Sequence, residues 1–226
     1  LEKNRKLSGD GKIHGFGHGV ATSYKDCQPC FYTWDVRWDL YKELGYPAIY
    51  DLNDMIELCI DMKEICPTDE NGNPTYAVSL WSDWDEDMMF GAKSMVSAFY
   101  GYDGLGIGFY NPSDGMYYDC LKEDGPYLEV LEFYHRLYQN HLLAPDLQKT
   151  DYDAAFEKIV VGNNFFSIFD YSGQLAYNTE EHMDAGKAMQ PLVPDKATPL
   201  VYGMSVGGGN RIWSIGANSK YPELCM

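Results

Sequence analysis

The apolar positions of this chain alternate between helical stripes and short runs. In YDLNDMIELCIDMKEICP, Leu52, Met55, Ile56, Cys59 and Met62 recur at three- and four-residue steps, which is one face of a helix. Asp51 stands at its cap and Pro67 at its stop. DWDEDMMFGAKSMVSAFYG reads as a helix ending at Gly101, and GPYLEVLEFYHRLYQNHLL as a long one begun by Asp124 and Pro126. TDYDAAFEKIVVG is a further helix ending at Gly162. FYTWDVRWDLYKELGYP reads as a strand end entering a helix, with Asp35 as its cap and Gly45 and Pro47 as its stop. GIGFYNPSDGMYYD is a hairpin turning at Ser113-Asp114-Gly115. TDENGNPTYAVSLW has a turn at Asn71-Gly72 and then a strand to Trp81. Short strands near Pro191–Val193, Val201–Met204 and Arg211–Ile215 close the chain. Strands and helices mixed in this order give an α/β or α+β domain.

One run stands out. FFSIFDYSGQLAYNTEEH starts as an apolar strand at Phe165, leaves it through Phe169, Asp170 and Tyr171, and becomes a helix to about Lys187. Strand exits are usually polar. Rings at this one either finish a core or line a place where something flat binds.

Composition narrows the choices. The chain has 226 residues, 45% hydrophobic, which is ample for a core. A net charge of −17 argues against nucleic acid and anionic membrane surfaces, because phosphates would be repelled. Nineteen Tyr and five Trp supply apolar faces with polar handles, which suits sugars and peptides. No apolar run is long enough to span a bilayer. The last residues, SKYPELCM, read as a helix that starts and does not continue, so the chain is expected to be a fragment.

Cofactor and metal motifs are weak. Cys27 and Cys30 form a CxxC that Pro and aromatics surround rather than a helix start, and there is no second CxxC and no HxxxH to complete a zinc set. A local disulfide or free thiols is the expectation. Cys59 and Cys66 fall on one helical face and read as core thiols. Glycines 15, 17 and 19 do not make a phosphate loop, and no GxSxG or HExxH occurs. No cofactor and no metal is expected.

DAAFEKIVVGNNFFSIFDYSG, taken with GKIHGFGHGVATS, VRWDLYKELGYP, DLNDMIELCIDMKE and VYGMSVGGGNRIWSIGANSKYPEL, resembles the extracellular solute-binding proteins of ABC importers, in the branch that includes maltose-binding protein. Gly17 stands where that family usually has Pro, and the aromatic turn carries Phe169 and Tyr171 where Trp is common. The resemblance implies a periplasmic-binding-protein-like α/β lobe, a mixed sheet with flanking helices, as a fragment of a two-lobe fold. Residues 1–20 would be a first-lobe remnant and crossover, 21–205 the second, ligand-binding lobe, and 206–226 the return crossover. It also implies a mechanism, hinge closure on a solute and docking on permease subunits of the transporter. The location implied is extracytoplasmic, as a cell-surface lipoprotein whose lipid anchor is outside this chain.

Sugar chemistry fits the candidate residues. Aromatic faces cover C–H groups, while Asp and Arg satisfy hydroxyls. Trp81 and Trp84 lie on the strand exit SLWSDWDED and face either the cleft or the core. Asp83 and Asp85 beside them either bind hydroxyls or cap a helix. Phe169, Asp170 and Tyr171 match the family's aromatic turn. Trp34 and Trp38 flank Asp35 and Arg37; one of each pair packs inward, and Trp34 joins the ligand-facing set. Arg211 and Trp213 either pack the lobe or line the cleft. The alternatives to a non-enzymatic binding protein are a carbohydrate-active enzyme using Asp83 or Asp85 with Asp170, and a surface sugar sensor or adhesin.

Overall fold

The computed structural model describes residues 2–17, 32–84, 88–169, 171–201 and 212–221. The chain divides into two compact units, Leu1–Pro29 with Val201–Met226, and Cys30–Leu200. No helix among the described residues is long and apolar enough to cross a membrane.

In chain order, α1 (Glu2–Leu7) and β1 (Phe16–Gly17) are followed by β2 (Tyr32–Arg37), α2 (Trp38–Glu43) and α3 (Leu52–Ile65). Then come α4 (Met88–Tyr100), the strands β3 (Asp103–Leu105), β4 (Gly108–Asn111) and β5 (Met116–Asp119), and α5 (Pro126–Gln139). The chain continues through α6 (Tyr152–Val160), β6 (Phe166–Phe169), α7 (Gln174–Tyr177), α8 (Glu180–Asp184), β7 (Met189–Pro191) and β8 (Ile212–Trp213). The class is mixed α/β.

Several boundaries follow from local chemistry. The Asp51 carboxylate accepts from the Asn53 and Asp54 amides and starts α3. Asp151 does the same for α6 through Ala154. Pro126 occupies the first turn of α5, where its missing N–H costs nothing. Gly101 and Gly162 take positive φ, at 74° and 72°, and end α4 and α6 as expected. The hairpin of β4 and β5 turns where expected, with the Asp114 carboxylate accepting from the Met116 amide.

In the larger unit β2 is the centre of a three-stranded antiparallel sheet in the order β6-β2-β7. Val36 faces Phe166 on one side and Gln190 on the other. The Tyr76 segment adds to the far edge of β6 in parallel, pairing with Asn164. β3, β4 and β5 make a second antiparallel sheet. Helices α3, α4 and α5 pack together beside β2, and the core gathers where they meet it. In the smaller unit β1 pairs with β8, and Ser214 Oγ donates to the His14 carbonyl at 2.7 Å.

Four expectations are corrected. The strand expected up to Trp81 is only an isolated bridge at Tyr76. Asp35 does not cap α2; it lies inside β2, and the position before α2 is Arg37, which makes no side-chain cap. The helix expected from the β6 exit to about Lys187 is two short helices. Asn178 breaks it by bonding the Met189 backbone, its Nδ2 donating to the carbonyl at 2.9 Å and its Oδ1 accepting from the amide at 2.7 Å. Thr179 then caps α8. Cys66 is not on the buried face of α3 with Cys59; it is the residue after the helix and is partly exposed.

Candidate functional site

The exit of β6 is held from two sides. The Gly173 amide returns to the Phe169 carbonyl at 2.8 Å. Below it, the buried Asp35 carboxylate accepts from the Gln174 amide at 3.0 Å and from Thr33 Oγ1 at 3.0 Å. Asp35 is therefore a cap after all, but of α7, reached across the sheet. Ser167 and Ser172 meet hydroxyl to hydroxyl at 3.0 Å and close the turn from beneath.

Six rings gather at this exit. Trp81 and Phe169 form the floor, 6% and 1% exposed. Phe169 lies nearly parallel to Phe90, with centroids 5.5 Å apart, and to Tyr171, at 5.2 Å. Trp81 meets Trp84 and Tyr152 edge-on at 5.3 and 5.2 Å. Trp84, Tyr152, Tyr171 and Phe90 are only partly buried and pack against the floor from above. Trp84 is 4.7 Å from Tyr152 and nearly parallel to Tyr171 at 6.2 Å. The result is a partly exposed aromatic platform on a sealed aromatic base.

Asp83 fixes one corner of it. Its Oδ1 accepts from the Tyr152 amide at 2.8 Å, so the carboxylate ties the Trp81–Trp84 loop to the first turn of α6. This sets Tyr152 beside Trp84. A carboxylate at a helix N-terminus is also favoured by the helix dipole. Burial, then the Asp153 charge, push the Tyr152 phenol above its ordinary value, so it stays a neutral hydroxyl at physiological pH.

The expected site residues divide accordingly. Trp84 and Tyr171 come together on the platform, with Asp83 exposed at its edge. Phe169 was expected to show part of its ring and does not; Phe90, Tyr171 and Trp81 close over it, so it supports the platform rather than touching a ligand. Trp81 is sealed in the same way. Trp34 is 1% exposed, stacked on Phe166 at 5.4 Å and edge-on to Phe133 at 5.7 Å, which makes it a core residue and not a ligand contact. Asp85, Asp170 and Arg211 lie outside the described residues, as do Cys27 and Cys30.

Tyr152 was not singled out in the sequence. Its one signal is its place directly after the Asp151 cap, where a helix start projects a ring toward whatever lies at that end.

A concavity of about 810 Å³ lies between the Asp69–Pro74 loop and α6, with Tyr76, Phe156 and Val160 among its lining. Its loop is braced by Asp69, which accepts from the Asn71 and Asn73 amides and from Asn163 Nδ2. Among the described residues no group of three or more His, Cys, Asp or Glu is arranged to hold a metal ion. No protein-family model, curated protein or solved structure matches this chain.

Proposed function

We propose that the larger unit is the solute-binding lobe of an extracytoplasmic component of an ABC importer, and that a sugar or oligosaccharide lies on Trp84, Tyr152 and Tyr171. The observation that carries this reading is the platform itself. Trp84, Tyr152 and Tyr171 pack on Trp81 and Phe169 with one part of their surface and leave the rest open to solvent at the strand exit. Flat, hydroxyl-bearing rings match the C–H faces and edge hydroxyls of a sugar. Asp83 at the rim keeps Oδ2 for a hydroxyl while Oδ1 holds the Tyr152 amide.

On this reading the partners are a small carbohydrate and the transporter's permease subunits. The chain then performs no catalysis. Capture works by closing a second surface over the platform, so the lobe supplies half of the contacts. Titrating the chain with mono- and oligosaccharides while following tryptophan fluorescence is the test. Saturable binding in the millimolar range that is lost in Tyr171→Ala is expected. Absence of any saturable change up to about 50 mM sugar, well above the millimolar range worth about 4 kcal/mol, would reject the reading.

A further inference from the structure

We propose that the outer face of the sheet β3–β4–β5 docks a basic segment of a partner protein. The register puts Asp103, Tyr110 and Tyr117 in one row across the three strands, and Leu105, Gly108 and Asp119 in the next. Residues directly opposite in an antiparallel pair share a face, and neighbours along a strand alternate. Phe109 therefore points to the core, where it is 1% exposed, and the two rows point outward.

That outer face is more apolar than a solvated sheet requires. Tyr110 is 40% exposed, Tyr117 49% and Leu105 55%. Tyr117 lies across Gly108, whose added Cβ would fall 2.4 Å from the phenol oxygen, so glycine leaves room for the ring to lie flat. At the same end of the sheet Ile107 and Leu121 are 72% and 75% exposed, and the Cys120 amide reaches the Ile107 carbonyl. A run of exposed Leu, Ile and Tyr on one small sheet is the signature of a contact surface.

Charge selects the occupant. Asp103 and Asp119 sit within the rows, and Asp114, Glu123 and Asp124 follow in the same stretch; the cations at the sheet are Lys122 and Lys93, whose Nζ donates to the Gly106 carbonyl at 2.7 Å. Lys122 is folded over the Tyr118 ring at 5.2 Å. The whole chain carries −17, so a second copy of it would be repelled. Phenol faces beside carboxylates suit Lys and Arg side chains, which find both a cation–π partner and a counter-ion there. The aliphatic Leu105, Ile107 and Leu121 suit a peptide's apolar residues better than a sugar's hydroxyls.

The test is calorimetric titration of the 226-residue chain with an alternating Lys-Leu peptide, and separately with its Glu-Leu counterpart and with a neutral glucan. The basic peptide should bind, weaken with added salt, and lose about tenfold or more in Tyr110→Ser/Tyr117→Ser, as at an aromatic hot spot. A second variant, Ile107→Lys/Leu121→Lys, alters only highly exposed side chains and should lose binding with an unchanged melting curve. Equal affinity of the parent and both variants would overturn the proposal. So would tighter binding of the acidic peptide or the glucan, or a concentration-dependent dimer in sedimentation that the second variant abolishes.

Discussion

The Asp35 carboxylate occupies the space that a side chain on Gly173 would need. A Cβ on Gly173 would fall 2.5 Å from Asp35 Oδ2 and 2.6 Å from its Cβ. Gly173 has φ −98°, outside the left-handed region, and the clash with Asp35 is steric. Gly173→Ala should push the carboxylate off the Gln174 amide and overpack the turn. A loss of about 1–3 kcal/mol in urea unfolding is expected, the usual cost of an inserted methyl in a closed space. An unchanged midpoint would show that the turn gives way freely.

Acid should loosen the corner where α8 meets the Glu70 loop. His182 Nδ1 donates to the Tyr177 carbonyl at 2.5 Å, and Nε2 lies 3.2 Å from the Glu70 carboxylate. Lys187 Nζ donates to the same carboxylate at 2.6 Å. Burial pushes the Glu70 carboxyl up, but the Lys187 and His182 bonds and charges more than reverse it and leave it below its ordinary value. A depressed carboxyl stabilises the fold above its unfolded pKa, about 4.3, and that part is lost as pH falls through the folded value. Glu70→Gln should lower stability at pH 7 and converge with the parent near pH 2. Because the pair is partly exposed, solvent screening holds the difference to below about 1 kcal/mol. Parallel curves at all pH values would refute the assignment.

What the sequence made legible was local. Asp51, Pro126, Gly101 and Gly162 each act within one turn of their own position, so a cap or stop can be read from neighbours alone. The hairpin at Asp114 is of the same kind. Asp35 was misplaced because its true partner, Gln174, is 139 residues away. Both readings made it a cap; only the fold says of which helix. Phe169 and Trp34 could not be sorted from Trp84 and Tyr171 for the same reason. What seals Phe169 is Phe90 on α4, and what seals Trp34 is Phe133 on α5 and Phe166 on β6. An aromatic's burial is set by distant elements, whereas its presence at a strand exit is visible in the chain. The break at Asn178 likewise depends on the Met189 backbone, 11 residues on.

Thiol reactivity should separate three cysteines. Cys59 and Cys120 are buried, at 1% and 2% exposed, while Cys66 is partly open after α3. Burial pushes the Cys59 thiol far above its ordinary value, so it has almost no thiolate at neutral pH. Iodoacetamide under native conditions should label the peptide carrying Cys66 well before those carrying Cys59 or Cys120. Denaturant should bring all three to similar rates. Early labelling of Cys59, read by peptide mapping, would mean that α3 opens readily.

The floor and the rim of the aromatic platform should respond to truncation in opposite ways. Trp81 and Phe169 in the floor, and Trp34 in the core away from it, are packed on all sides, so removing any of these rings leaves a cavity and strips contacts from its neighbours. Phe169→Ala and Trp34→Ala should each cost about 3–5 kcal/mol in unfolding free energy. Tyr171 and Trp84 lose less, because part of each ring already faces solvent. Tyr171→Ala should cost under about 2 kcal/mol of stability, the burial of part of one ring. If the platform holds a sugar, the same variant should weaken binding by about 1–3 kcal/mol, as one lost stacking ring at a hot spot does. Trp34→Phe supplies the control. It keeps most of the core volume, lies away from the platform, and should leave sugar affinity unchanged while lowering the melting temperature. Urea unfolding and sugar titration on these variants and on Trp84→Ala separate the two roles. Equal stability losses for Tyr171→Ala and Phe169→Ala would show that the rim is core. A sugar affinity unmoved by Tyr171→Ala and Trp84→Ala, yet changed by Trp34→Phe, would place binding elsewhere in the chain.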